Sequence, residues 1–192
     1  MRSEVAGAFP VHESALRRLV LRFDVPLIQN DLRSAYVEEQ VGVLLGAAWR
    51  FTGGDWGPYD FESGGVRLEV KQSAALQSWP GPPGRGAFNI APRTGYYVGA
   101  QWVPKQGRHS DIHVFAWHGE AGPTADHRDV NQWIYFVCPT VRLPEAQRSL
   151  SRPALERLAG VEAARPAVLC ETVATMADSI RRDRATRTAT TS

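Results

Sequence analysis

The segment YDFESGGVRLEVKQS, residues 59–73, constrains this chain more than any other. Apolar residues alternate with polar ones on both sides of Gly64-Gly65, the period-two pattern of strands. Two consecutive glycines supply the positive φ that both central positions of a type I′ hairpin turn need. A turn there pairs Ser63 with Val66, Glu62 with Arg67, Phe61 with Leu68 and Asp60 with Glu69. Directly opposed residues share a face. One face then gathers Tyr59, Phe61, Val66, Leu68 and Val70, and the other gathers Asp60, Glu62, Arg67, Glu69 and Lys71. Glu62 and Arg67 make an outer ion pair in this register, but Asp60 meets Glu69, and like charges side by side destabilise a sheet. A divalent cation between the carboxylates is the simplest offset, and oxygen ligands suit Mg2+ or Mn2+. Lys71 projects from the same face about 7 Å further along the strand. An ammonium there can orient a water beside a metal or stabilise charge on a phosphate under attack. The same alternation also fits a solvated strand face with no chemistry.

Around this hairpin the chain reads as one α/β (α+β) domain spanning 1–192, with its core at about 31–160. A helix is expected at His12–Phe23, broken by Pro26. A second, capped by Asn30 or Asp31, runs to about Ala48 with Val37, Val41, Leu44, Leu45 and Ala48 on one stripe. Trp49–Thr52 is a short strand candidate. Residues 80–110, with PGPPGRG, read as a long irregular excursion holding a strand or short helix near Tyr96–Val103. Asp111–His118 and Trp133–Thr140 are rich in β-branched and aromatic residues and read as strands. Ser149–Leu158 reads as a helix with Ser151 as cap and Pro153 in its first turn. Val168–Arg182 reads as a weaker helix, and 183–192 as a flexible tail. The expected architecture is a central mixed sheet of about five strands flanked by helices.

The spacing Asp60-x8-Glu69-x-Lys71 resembles the signature of the PD-(D/E)XK, or restriction-endonuclease-like, nuclease superfamily. In that superfamily the acidic residue ends one strand of a hairpin and the (D/E)-x-K lies on the next. A helix precedes the hairpin, and further strands and helices follow. The resemblance covers about Asp31 to Thr140, and EVKQSAALQSW is similar to segments of a bacterial branch. One departure is that Tyr59 stands before Asp60, with the proline one further back at Pro58. The resemblance implies a restriction-endonuclease-like core and a hydrolase of phosphodiester bonds, a deoxyribonuclease acting on DNA in preference to RNA. It implies Mg2+ (or Mn2+) held by Asp60, Glu69 and the Val70 carbonyl, and Lys71 positioning the attacking water. A glutamate from the preceding helix would assist the metal, with Glu38 preferred over Glu39 because Glu38 flanks the apolar stripe. Gln72 is a further neighbour of the site. The rival is a catalytically inactive restriction-endonuclease-like domain that binds DNA or a protein partner.

Other features are less specific. The formal net charge is +2, with 22 Lys+Arg against 20 Asp+Glu, which does not announce a nucleic-acid partner. Arg85, Arg93, Lys105 and Arg108, interleaved with Trp79, Tyr96, Tyr97 and Trp102, are candidate nucleic-acid contacts. Arg181, Arg182, Arg184 and Arg187 form a basic C-terminal stretch that suits a DNA backbone or a solubilising tail. The five histidines show no zinc spacing and are expected in ordinary structural roles. Cys138 and Cys170 are expected as buried free thiols in a reducing cytoplasm. No signal peptide or membrane-spanning run is expected, so a cytoplasmic protein is. A homodimer would let two centres cut both strands of a duplex.

Overall fold

The computed structural model describes residues 5–53 and 56–190. Gly64 and Gly65 take φ of 51° and 76°, and the chain reverses there as a two-residue turn. The flanking strands β2 (Phe61–Ser63) and β3 (Val66–Ala74) pair Phe61 with Leu68, Glu62 with Arg67 and Ser63 with Val66. Thus the turn chemistry and the alternation lead to three of the four expected pairs, and the ladder stops short of Asp60 and Glu69.

Strand β1 (Arg50–Phe51) lies antiparallel on β2. The long strand β3 runs parallel to β7 (Ile112–His118), with Glu69 beside His113 and Lys71 beside Phe115. Strand β8 (Trp133–Pro139) returns antiparallel to β7, and β10 (Glu162–Ala164) is antiparallel to β8. The result is a mixed α+β fold around a six-stranded sheet of order β1-β2-β3-β7-β8-β10, one strand more than the approximate five expected.

A parallel neighbour requires a crossover, and the glycine- and proline-rich excursion is that crossover. It carries β4 (Ala87–Asn89), which pairs with β9 (Ser149–Ser151), and a small hairpin of β5 (Tyr96–Val98) and β6 (Gln101–Val103). The expected helix from Ser149 is therefore a strand followed by the short α3 (Arg152–Leu155); Leu150 is drawn into the core opposite Phe88. Ser151 still caps α3, its Oγ accepting from the Ala154 N–H.

Helix α1 covers Val5–Phe23, with Leu16, Leu19 and Val20 exposed, and α2 covers Asn30–Leu45. The residue preceding α2 is Gln29, which makes no side-chain cap, and Asn30 Oδ1 instead accepts from Arg33. Gly46, at φ 74°, ends the helix before Ala48, which is exposed. Helix α4 runs from Pro166 to Thr190, well past the predicted end at Arg182. Arg181 donates to the Ser63 carbonyl, while Arg184 donates to the Gly65 carbonyl and to Asp111. These bonds dock the basic stretch on the hairpin turn. Residues 191–192 of the expected tail lie outside the described residues.

Helices α2 and α4 cover one sheet face, burying Val66, Leu68, Val70, Val114, Tyr135 and Val137. The other face packs Phe115, Trp117 and Phe136 beneath Phe88, Ile90, Leu150 and Leu155. Cys138 is buried there, but Cys170 is exposed beside the end of α2, its Sγ donating to the Leu45 carbonyl at 3.4 Å. Among the described residues no helix is long and apolar enough to cross a membrane.

Candidate active site

Asp60 sits just ahead of β2, and its backbone is held from both sides. Its N–H donates to the Leu68 carbonyl at 2.9 Å, and its carbonyl accepts from Thr52 and Gly53. The side chain then turns along the edge of β3, where Oδ2 accepts the Val70 N–H at 2.7 Å. Strand β2 begins only at Phe61, so the carboxylate occupies the place a further strand residue would take. Because N–H and C=O of one extended residue face the same side, the Val70 carbonyl is directed to this edge too. The Val70 side chain is in the core.

Glu69 is buried on the face opposite that core. Its Oε1 accepts from Lys71 Nζ at 2.5 Å and from Arg93 Nη2 at 2.9 Å. The like-charge problem posed by the sequence is therefore answered in part by this chain's own cations, one of them brought in by the crossover. Burial, and then the Glu69 charge, push the Asp60 carboxyl up to about 7. Burial also pushes Glu69 up, but Lys71 and Arg93 outweigh it and hold that carboxyl below its usual range. Near neutrality one member of the pair is part-protonated and the other is ionised.

Glu38, half-buried on α2, lies within electrostatic reach of Asp60, Glu69 and Lys71. Burial raises its carboxyl, with the Glu69 charge adding and Lys71 opposing. Glu39 is exposed, on a separate apolar groove with Tyr36, Val43 and Leu44. Gln72 leaves the site altogether. It shares the helix-covered face with Val70, and its side chain accepts from Arg33 Nε at 2.8 Å and donates to Asn30. The expectation of Gln72 as a site neighbour is thus corrected by the pleat. Tyr59 also departs from the expected apolar face. Lying outside β2, it donates to Glu62 Oε2 at 3.0 Å and stacks near Arg67. The Glu62–Arg67 pair does not form: Glu62 binds Arg50, and Arg67 binds Asp111 at 3.0 Å.

The site opens into a cleft of about 450 Å³ lined by Glu69, Lys71, Arg93, His113, Arg148 and Trp56. His113 is buried, and burial pushes it down to about 3, so it is neutral; its Nδ1 contacts Thr140 Oγ1 at 2.8 Å. Its place beside Glu69 follows from the parallel register, which local patterning does not encode. Strand alternation could have grouped His113 with Phe115 and Trp117 on one face, but not with Glu69. Of the expected nucleic-acid contacts, Arg93 is the Glu69 partner, while Arg85 and Lys105 are exposed. Arg108 is spent inside the protein, donating to the carbonyls of Ile90, Pro144 and Gln147.

Among the described residues no three His, Cys, Asp or Glu side chains converge as a ready ion cage. Mg2+ does not require one, since it binds through one or two carboxylates and keeps several waters. Asp60 Oδ1 and Glu69 Oε2 have no hydrogen-bond donor among the described residues, and they belong to two buried, mutually repelling carboxyls. That donor set fits a hard divalent cation. No protein-family profile, curated protein or solved structure matches the chain.

Proposed function

We propose that this chain is a metal-dependent nuclease with a restriction-endonuclease-like core, hydrolysing phosphodiester bonds and acting on DNA in preference to RNA. One observation carries the reading: the buried carboxyls of Asp60 and Glu69 lie within electrostatic reach of each other, with Glu69 and Lys71 at the wall of an open cleft. The order of helix, hairpin and following strands, with the acidic residue before one strand and Glu-x-Lys on the next, also supports it.

Asp60, Glu69 and the Val70 carbonyl, with Glu38 nearby, would hold Mg2+ or Mn2+, which would act as Lewis acid and lower the pKa of a bound water. The protein's own part is electrostatic. Lys71 carries a fixed positive charge beside the carboxylates, suited to orienting the attacking water and to stabilising the charge gained by the phosphate. Arg93 adds a second cation at the same oxygen, able to transfer to a phosphate oxygen when one enters. Asp60, with its proton held to about 7, is able to exchange it near neutral pH.

One observation favours a non-catalytic domain that binds DNA or a protein: Lys71 and Arg93 already neutralise Glu69 without a metal. Incubation of plasmid and linear DNA with Mg2+, Mn2+ or EDTA separates the readings. Cutting that needs metal and is lost in both Lys71→Ala and Glu69→Ala supports the enzyme. Binding without cutting under every metal favours the binding module.

A further inference from the structure

We infer that Trp56, Trp102 and Tyr97 form a stacking platform for an unpaired nucleobase, so that the substrate is single-stranded or locally melted DNA. The inference rests on the nuclease reading for the chemistry and on a separate set of residues for the substrate class. Trp56 is 63% exposed, Tyr97 44% and Trp102 37%, although the three sit together. Trp56 and Trp102 meet edge to face at 6.3 Å, and Tyr97 and Trp102 at 5.1 Å. Aromatic area left in water beside a cleft is the mark of a binding surface. Tyr96 provides the contrast: next in sequence to Tyr97, it is turned inward onto His109 at 4.8 Å and pins the excursion.

The backbone is committed to this display. Trp56 is the one non-glycine with positive φ, 64°, among the described residues. A bulky side chain there is strained, and strain of this kind persists where the surroundings hold it for function. Tyr97 holds it, donating its N–H to the Trp56 carbonyl at 3.2 Å. Gly95 allows the Trp102 ring to lie on the hairpin, since a Cβ there would stand 2.5 Å from that ring.

Trp56 lines the same cleft as Glu69, Lys71, Arg93 and Arg148. A cleft of about 450 Å³ is of the size that takes a small ligand such as a single nucleotide. Bases within a duplex hide their faces in the stack; an unpaired base offers its face to any aromatic ring, whatever its identity. A ring at the cleft mouth with cations deeper in therefore fits a base stacked outside and its phosphate drawn toward Lys71.

The test uses the full chain in EDTA and a fluorescein-labelled single strand, with the same sequence as duplex, followed by anisotropy. Trp56→Ala and Trp102→Ala should weaken single-strand binding about 5- to 150-fold and leave duplex binding unmoved, while Trp56→Phe retains most of it. Moving one abasic site along the strand, with unaltered protein, should weaken binding at one position relative to the cleaved bond. This second arm does not depend on the variants folding. Equal binding by the alanine variants together with no sensitive abasic position overturns the platform, as does a preference for duplex or no binding of either DNA. If Mg2+-dependent cutting is lost in Lys71→Ala but unaffected in the tryptophan variants, the nuclease reading stands and the platform falls. Ring-dependent binding without cutting under any metal leaves the platform and removes the nuclease.

Discussion

The two faces of the β3–β7–β8 sheet come from the same strands by alternation, yet they have opposite fates. Beneath α2 and α4, Leu68, Val70, Val114, Tyr135 and Val137 are sealed against Val41, Leu169 and Val173. On the other side, the crossover and β9 seal only part of the surface. Phe115, Trp117 and Phe136 are covered, but Glu69, Lys71 and His113 stand at the wall of the cleft. The difference teaches how a small fold holds a repelling carboxylate pair. Apolar burial on one face stabilises the strands, and this leaves the other free to carry charges that cost stability. The cations that temper the cost arrive from β3 itself and from the crossover.

The sharpest way to break this comparison is at the carboxylates. Glu69→Ala or Lys71→Ala should reduce Mg2+-dependent cutting by ~10²–10³-fold or more, while the thermal midpoint moves by only a few degrees. A collapse of the fold instead would mean that the pair is structural. The complementary change is Leu169→Ala on the helix-covered face. It should cost ~2–5 kcal/mol in denaturant unfolding and leave the cleavage rate per folded molecule unaltered; a large loss of rate would show that the faces are coupled.

Titration sharpens the contrast further. The Asp60 carboxyl is raised in the folded chain to about 7 from 3.8, so the folded state binds its proton more tightly than the unfolded state does. Its contribution is full below about 4 and is lost as pH rises through about 7. His113 and His127, both pushed down to about 3, act in the opposite sense, losing stability as pH falls below 6.5. The difference between the metal-free protein and Asp60→Asn isolates the carboxyl. It should change by on the order of 2–4 kcal/mol between pH 4 and 8, and a flat difference would refute the raised carboxyl. Added Mg2+ should raise the thermal midpoint more at pH 8 than at pH 5.5, because metal and proton compete for Asp60. The smallest effect is expected at the turn: Arg184→Ala removes a part-exposed pair with Asp111 and should cost ~0.2–1 kcal/mol, seen as faster amide exchange at the end of α4.

How much of this was legible beforehand divides by distance along the chain. Glycines at 64 and 65 and the alternation around them are local signals, and they led to the hairpin, its register and the placing of Glu69 and Lys71 on one face, while Asp60 lies ahead of the ladder with its carboxylate on the Val70 N–H. The helix stripe of Val37, Val41 and Leu45 was equally local, and so was the Ser151 cap. Errors came where tertiary contacts outweighed local preference. Ser149–Ser151 became a strand because β4 offered it a partner, and α4 continued because Arg184 found Asp111 and the turn. Gln72 obeyed the pleat and went to Arg33.

The sequence by itself determined the hairpin and the face its charges share, because turn geometry and period-two pleating act between near neighbours. The tertiary structure alone decided what meets those charges. Arg93 on Glu69, His113 beside it and Trp56 at the cleft mouth all depend on the parallel β3–β7 pairing and its long crossover. Contacts of that kind are selected by the packing of the whole chain after loop closure, and no local pattern records them.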